Sequence, residues 1–207
     1  YTRKLDDEAF RCFVDTQGLG RDDRQVPEII LQIYSSALCH LDPNSWLDWC
    51  LDSAKVAGKT DAGETIWGEY LIKDLKSYLS LQIEALEKCI QKANDVRGLE
   101  KPVALLSQTI QNLQSLEACN TWDAIVNHPP VEYGTLTFKK EHKGTQLAEQ
   151  IKAVRTACKE GLSKKLRSFS NESATVLKHL EEAALAAQGL VDLVKEFHSE
   201  YSKLKRI

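Results

Sequence analysis

The chain has 207 residues, of which 43% are hydrophobic and 28% are charged, and its formal net charge is -3. This composition excludes an intrinsically disordered chain, and the length is sufficient for a folded core without disulfides or metals. The slight negative charge argues against nucleic acid as a partner. We therefore expect a globular protein whose partners are other proteins.

Six cysteines are spread singly along the chain, and no two have the CxxC spacing of a metal or redox site. Dispersed cysteines of this kind are typical of reduced thiols in a cytoplasmic protein. No apolar run reaches the roughly 20 residues that a membrane span needs, and no signal peptide is visible. The sequence therefore predicts a cytoplasmic protein with no metal ion and no cofactor.

The N-terminal half combines one strand-like segment with a series of helical patterns. Residues 1–25 form a strand and turn segment, in which "FRCFV" at residues 10–14 is rich in β-prone side chains. In residues 26–128 apolar side chains recur at every third and fourth position, which predicts a helical bundle. Within this bundle we predict a long helix from about Glu64 to Arg97.

The C-terminal half begins with a double proline, so residues 129–144 are predicted to be a linker or a short strand. Residues 145–207 contain no proline and predict one long helix or two nearly collinear helices, with the natural kink or break at residues 168–173. A helix of this length needs a partner along its apolar side. The predicted fold class is mainly α: an elongated helical bundle with coiled-coil character and minor β content near residues 10–14 and 131–139.

Apolar positions of the predicted C-terminal helix follow the spacing of a coiled-coil seam. Small residues near the middle of this helix would allow a second helix to approach closely. We expect the seam to join two copies of the chain, as a homodimer or within a larger assembly. The seam candidates are Leu180, Ala184, Ala187, Val191 and Val194.

Three tryptophans are candidate anchors for a partner. Trp46 and Trp49 are three residues apart and face the same way on a helix. Trp67 lies near the start of the long helix, with Tyr70 on the same face. Aromatic stripes of this kind usually pack into the core between helices. The alternative is an exposed aromatic anchor for a partner helix or peptide.

Basic residues concentrate at residues 139–143, at residues 152–167 and at the C-terminal end. In the middle group Lys152, Arg155 and Lys159 share one helix face. A helical dimer with such a face could lie on an anionic membrane surface, similar in outline to a BAR domain. The simpler interpretation is a solvated helix surface.

The stretch "FVDTQGLG" contains a D-x-x-G motif from Asp15 to Gly18. It resembles the element of dynamin-like and septin-like GTPases that reaches Mg²⁺ and senses the γ-phosphate. The resemblance implies nucleotide binding at Asp15 and Gly18 by the helical part of a larger GTPase. The nearest match to a phosphate loop, "SAKVAGKT" at residues 53–60, lacks the first glycine and follows the motif, although it should precede it.

These patterns predict a non-catalytic interaction or scaffold module that acts through helical-bundle or coiled-coil assembly. Its expected partners are proteins, first of all a second copy of the chain, with a membrane surface as a further partner. Nucleic acid and a small-molecule substrate are not expected, and no catalytic residue is predicted. The alternatives are a membrane-binding BAR-like dimer and the helical part of a GTPase.

Overall fold

The computed structural model describes residues 6–17 and 25–205, and within them it contains eight α-helices and no strand. The fold is therefore mainly α, which confirms the class that the helical periodicity predicts. The helices are α1 (Glu8–Gln17), α2 (Gln25–Ala37), α3 (Pro43–Ala54), α4 (Ile66–Asn94), α5 (Glu100–Glu117), α6 (Trp122–Val126), α7 (Gln146–Leu166) and α8 (Ser173–Lys205). Short 3-10 turns lie at Ala62–Glu64, Lys140–His142 and Arg167–Phe169.

The chain divides into two compact units. The terminal unit contains residues 1–59 and 175–207, and the central unit contains residues 60–174. The terminal unit thus holds α1, α2, α3 and nearly all of α8, whereas the central unit holds α4 to α7. Residues 26–128 contribute to both units. The sequence could not predict this division, because periodicity shows which helix faces are apolar but not which helices share a core.

The terminal unit is held by apolar and aromatic packing. One buried cluster joins α2, α3 and α8, and a second joins α1, α2 and α8. The edge of the Tyr34 ring packs against Phe197 with ring centroids 5.0 Å apart. The first cluster consists of Tyr34, Ala37, Leu47, Val191 and Val194, and the second of Phe13, Val26 and Ala186.

In the central unit, α4 packs against both α5 and α7. Residues that ascend along α4 contact residues that descend along each partner, so both partners run antiparallel to α4. The contacts that define these directions are Lys76 with Asn120, Ser80 with Glu117, Asp74 with Lys165, and Lys92 with Gln150.

A polar network fixes the chain entering and leaving the helices of the central unit. Asp61 Oδ1 accepts a hydrogen bond from the backbone N–H of Trp122 at 2.9 Å. Ser173 Oγ accepts one from the N–H of Ala62 at 2.8 Å, and the Ser173 N–H donates to Asp123 Oδ1 at 2.6 Å. These bonds satisfy backbone N–H groups at helix starts, which have no partner within their own helix.

The strand predicted at residues 10–14 is wrong, because these residues lie inside α1. Phe10 and Phe13 are three residues apart, and the helix buries both side chains on one face. The side chain of Asp7 accepts a hydrogen bond from the Phe10 N–H at 3.1 Å, as a helix-capping residue does. Burial of two aromatic rings therefore outweighs the β propensity of a five-residue run.

The β content predicted at residues 131–139 is also wrong, since the described residues there form no strand. Side chains, not a neighbouring strand, donate hydrogen bonds to three carbonyl groups of this segment. Asn112 Nδ2 donates to the carbonyl of Glu132, and the Arg155 guanidinium donates to the carbonyls of Tyr133 and Gly134.

Residues 145–207 form two separate helices, α7 and α8, and not one long helix. The interruption at residues 167–172 overlaps the kink that the sequence suggests. Phe169 lies in this connection and packs on Trp122 with ring centroids 4.5 Å apart. A new helix then starts at Ser173, where the polar network anchors the backbone.

Candidate functional site

The three residues of the predicted basic face all lie on α7, but they have different surroundings. Lys152 Nζ pairs with Glu149 at 2.6 Å. Arg155 is half-buried and donates to backbone carbonyls of the preceding segment. Lys159 is exposed and forms no ion pair with a described residue. Only Lys159 of the three therefore has its charge fully available to an outside partner.

Arg155 belongs to a structural cluster with Tyr133 and Cys158. Tyr133 Oη lies 3.5 Å from Cys158 Sγ. Burial raises the pKa of the Tyr133 hydroxyl and of the Cys158 thiol, and burial lowers the pKa of Arg155. Because burial disfavours the charged form of each group, the tyrosine and the thiol stay neutral and hold the segment before α7 in place.

Further exposed cations continue the basic surface toward the C-terminal end of α7. Residues 139–167 carry nine Lys or Arg residues and three Glu residues, in a chain with a net charge of -3. Lys164 and Arg167 are exposed, and neither pairs with an acidic side chain in the described part of the chain. Together with Lys159 they form what we call the cationic surface of α7, in which Arg167 is the residue that directly follows the helix.

The three candidate aromatic anchors differ in exposure. Trp46 is partly buried against the apolar cluster of the terminal unit and stacks on His40 with ring centroids 4.6 Å apart. Trp49 is 61% exposed and Trp67 is 63% exposed. Tyr70, which follows Trp67 by three residues on α4, is 65% exposed. Aromatic stripes of this kind are usually buried in the core, but Trp49, Trp67 and Tyr70 are exposed.

Trp67 lies at the same end of the central unit as Lys164 and Arg167 of the cationic surface. Asp74 follows Trp67 by two helical turns, so the two side chains leave α4 on the same face. Lys165 of α7 pairs with Asp74, and α7 runs antiparallel to α4. The chain from Lys165 to Arg167 therefore runs toward the end of α4 that carries Trp67. Sequence patterns contain no signal for this arrangement, because it depends on the contact between two distant helices.

The predicted seam residues all lie on α8. Leu180, Ala184 and Ala187 are half-buried. Val191 and Val194 are buried against α2 and α3 of the same chain. The coiled-coil interpretation is wrong, because helices of the same unit cover the apolar stripe of α8 at Val191 and Val194.

The D-x-x-G motif does not form a nucleotide-binding loop where it is described. Asp15 is an exposed residue inside α1, whereas Gly18 lies outside the described residues. A helical Asp15 cannot provide the strand-to-loop geometry that a phosphate-sensing motif requires.

Metal-binding clusters and membrane spans are absent from the described residues. No group of three or more His, Cys, Asp or Glu side chains there could hold a metal ion. Nor is any helix of the described part long and apolar enough to cross a membrane. All six cysteines are unpaired thiols, and Cys89 and Cys158 are buried.

No family model matches the chain. The chain is similar to an ATP-dependent helicase/nuclease subunit of Acetivibrio thermocellus, with 27% identity over 211 residues, 97% of this chain and 17% of that relative. The subunit of the same name from Bacillus cytotoxicus is 27% identical over 209 residues, 97% of this chain and 16% of its own length. That from Bacillus cereus strain AH820 is 26% identical over 211 residues, with the same two coverages. The chain thus spans about a sixth of the length of these curated relatives.

These similarities overturn the functional interpretation of the sequence. The predicted scaffold module is wrong, because relatives that match nearly the whole chain are named as helicase/nuclease subunits. The BAR-like dimer and the dynamin- or septin-like GTPase are wrong for the same reason. The expected partners, which excluded nucleic acid and a small-molecule substrate, are wrong as well. The net charge is an average over the chain, and it does not reveal that basic residues concentrate at residues 139–167.

Proposed function

We propose that this chain is a helical module of an ATP-dependent helicase/nuclease, and that its central unit contacts nucleic acid phosphates. The observation that carries the proposal is the cationic surface of α7, in a chain that resembles subunits of such enzymes over 97% of its length. ATP hydrolysis and strand cleavage would belong to a longer protein, of which this chain corresponds to about a sixth. We also propose a cytoplasmic location, where the bacteria that contain the relatives keep their nucleic acid.

The side chains of α7 divide into those that position the helix and those that face outward. Arg155 holds the preceding segment, and Lys165 ties α7 to α4 through Asp74. Lys159, Lys164 and Arg167 remain exposed without an acidic partner among the described residues. Cations in this state can neutralise phosphates and release their condensed counterions, which gives affinity that falls as salt concentration rises.

The test is the salt dependence of DNA binding by the 207-residue chain, measured by fluorescence anisotropy with labelled duplex and single-stranded oligonucleotides. The test variant is Lys159→Glu with Lys164→Glu and Arg167→Glu. We expect it to weaken binding to both oligonucleotides and to reduce the salt slope by roughly 2 units on the single strand and nearly 3 on the duplex, since each lost phosphate contact removes about 0.7–0.9.

The matched control reverses three exposed lysines on α4 and α5, Lys73, Lys88 and Lys101, and changes the net charge by the same amount. If the two triple variants bind equally, only the total charge matters and the assignment to α7 is wrong. Wild-type binding that is absent, or that is insensitive to salt, would contradict the proposed function itself.

A further inference from the structure

We infer that Trp67 and Tyr70 form a stacking surface for the bases of single-stranded nucleic acid, beside the cationic surface of α7. This inference rests on the proposed function. It adds that the nucleic acid bound beside the cationic surface is single-stranded.

The central unit buries another large aromatic side chain, so the exposure of Trp67 and Tyr70 depends on their positions on α4. Trp67 is 63% exposed and Tyr70 is 65% exposed, whereas Trp122 of the same unit is 3% exposed. Trp122 also donates its Nε1–H to the carbonyl of Asn171 at 2.8 Å. By contrast, Trp67 and Tyr70 have no hydrogen-bond or ring partner among the described residues. Two large rings on adjacent turns of α4 are thus presented to an outside partner.

The charges around the two rings complement a polyanion. Lys164 and Arg167 lie at the end of α7 that runs toward Trp67. Asp74, which lies on the same face of α4 as Trp67, forms an ion pair with Lys165. Glu69 lies on the opposite flank of α4, because it is two residues from Trp67 and points away from it. The surface therefore combines ring faces with positive charge on one side.

This combination fits a single strand better than a duplex or an apolar protein helix. Bases of a single strand expose their faces and stack on aromatic side chains, while nearby cations follow the phosphates. Bases in a duplex are already stacked on each other and offer only groove edges and phosphates. An apolar partner helix would leave the cations without partners.

The experiment compares three labelled ligands of equal length: an oligothymidylate, an abasic oligonucleotide and a duplex. The double variant Trp67→Ala with Tyr70→Ala should bind the oligothymidylate about tenfold more weakly or worse, since each stacked base contributes about 1–3 kcal/mol. Its binding to the abasic oligonucleotide and to the duplex should not change. Trp67→Phe should retain most of the oligothymidylate affinity, because it keeps an aromatic face.

Trp49→Ala is the matched control, since Trp49 is 61% exposed but belongs to the terminal unit. It should leave binding to all three ligands unchanged. Unchanged oligothymidylate binding in the double variant would overturn the inference and point to a protein as the occupant. An equal loss on the abasic ligand would also overturn it, because the bases would then contribute nothing to binding. In that case the proposed function would still stand if the triple charge reversal on α7 weakened binding to all three ligands.

Discussion

Both units bring two helices close together at a glycine, but different atoms meet that glycine. In the terminal unit, a Cβ at Gly189 of α8 would overlap the backbone oxygen of Ala9 in α1. In the central unit, a Cβ at Gly161 of α7 would overlap Oη of Tyr78 in α4. The end of a tyrosine side chain can swing aside, whereas a helix backbone moves only with its helix. The two units should therefore differ in how well they tolerate a larger side chain at this glycine, although the helices approach similarly closely.

The units also differ in how aspartates cap their helices. Asp42 of the terminal unit is exposed and caps its own helix α3, with Oδ1 3.0 Å from the Ser45 backbone nitrogen. Asp61 of the central unit caps the turn before α4 and also accepts from the N–H of Trp122 in α6. One cap is local, and the other joins two segments distant in the sequence.

The largest effect is expected for Gly189→Ala. Its Cβ would clash with backbone and separate α8 from α1, so we expect a loss of about 3 kcal/mol in the free energy of unfolding. Gly161→Ala should cost only about 1 kcal/mol, because Tyr78 can rotate away. The gain in helix propensity from glycine to alanine, about 1 kcal/mol, applies to both variants and does not affect the comparison.

Urea denaturation followed by circular dichroism would measure this difference. Gln188→Ala, an exposed neighbour on α8, provides the control and should change the free energy of unfolding by less than about 0.5 kcal/mol. Equal losses for the two glycine variants would mean that the α4–α7 contact is as rigid as the α1–α8 contact.

An intermediate effect is expected for Asp61→Ala in the central unit. This change removes the acceptor for the N–H groups of Gly63 and Trp122, so we expect a loss of about 2 kcal/mol in the free energy of unfolding. Amide hydrogen exchange at Trp122 should become faster in the same variant. Asp61→Asn keeps one side-chain oxygen as an acceptor and should be milder. If exchange at Trp122 were unchanged by Asp61→Ala, the cap would be local, like that of Asp42.

The smallest effect concerns the pH dependence of the terminal unit. Hydrogen bonds from the backbone N–H and the hydroxyl of Ser45 lower the pKa of Asp42 below its ordinary value of 3.8. The stabilisation is fully present above that ordinary value and is lost as the pH falls through the lower pKa of the folded state. Asp42→Asn should remove this part of the acid sensitivity of the melting temperature.

Thermal melting at a series of pH values from about 6 down to about 2 would test this prediction, because the stabilisation is lost below the ordinary pKa of the carboxyl group. Ser45→Ala removes the hydroxyl donor and leaves the backbone donor, so it should reduce the acid sensitivity only in part. An acid sensitivity that persists in full in Asp42→Asn would assign it to other carboxyl groups.

The helices with strong local signals could be predicted from the sequence. The predicted helix from Glu64 to Arg97 corresponds to α4, which begins after the cap at Thr65 and ends shortly before Gly98. Gly98 has a φ of 98°, a conformation that glycine adopts without strain. By contrast, α1 was not predicted, because the β-prone side chains of residues 10–14 outweighed the helical spacing of Phe10 and Phe13 in a segment of only ten residues.

The candidate site could be predicted only in its parts. Local charge and aromatic spacing point to Lys159, Trp67 and Tyr70 individually, but they do not show that the two rings stay exposed. The location of the two rings beside the C-terminal end of α7 depends on the antiparallel packing of α4 and α7, which the contact between Asp74 and Lys165 shows. Because these two residues are 91 positions apart in the sequence, local sequence patterns contain no signal for their contact.

The sequence by itself determined the helical class, the extent of α4 and the concentration of positive charge in residues 139–167, because these follow from local spacing and composition. Only the tertiary structure decided that Val191 and Val194 are buried against α2 and α3, that Arg155 holds a backbone segment and that Trp67 stays exposed. The physical reason is that periodicity identifies an apolar face, while the identity of what covers that face depends on the packing of distant helices.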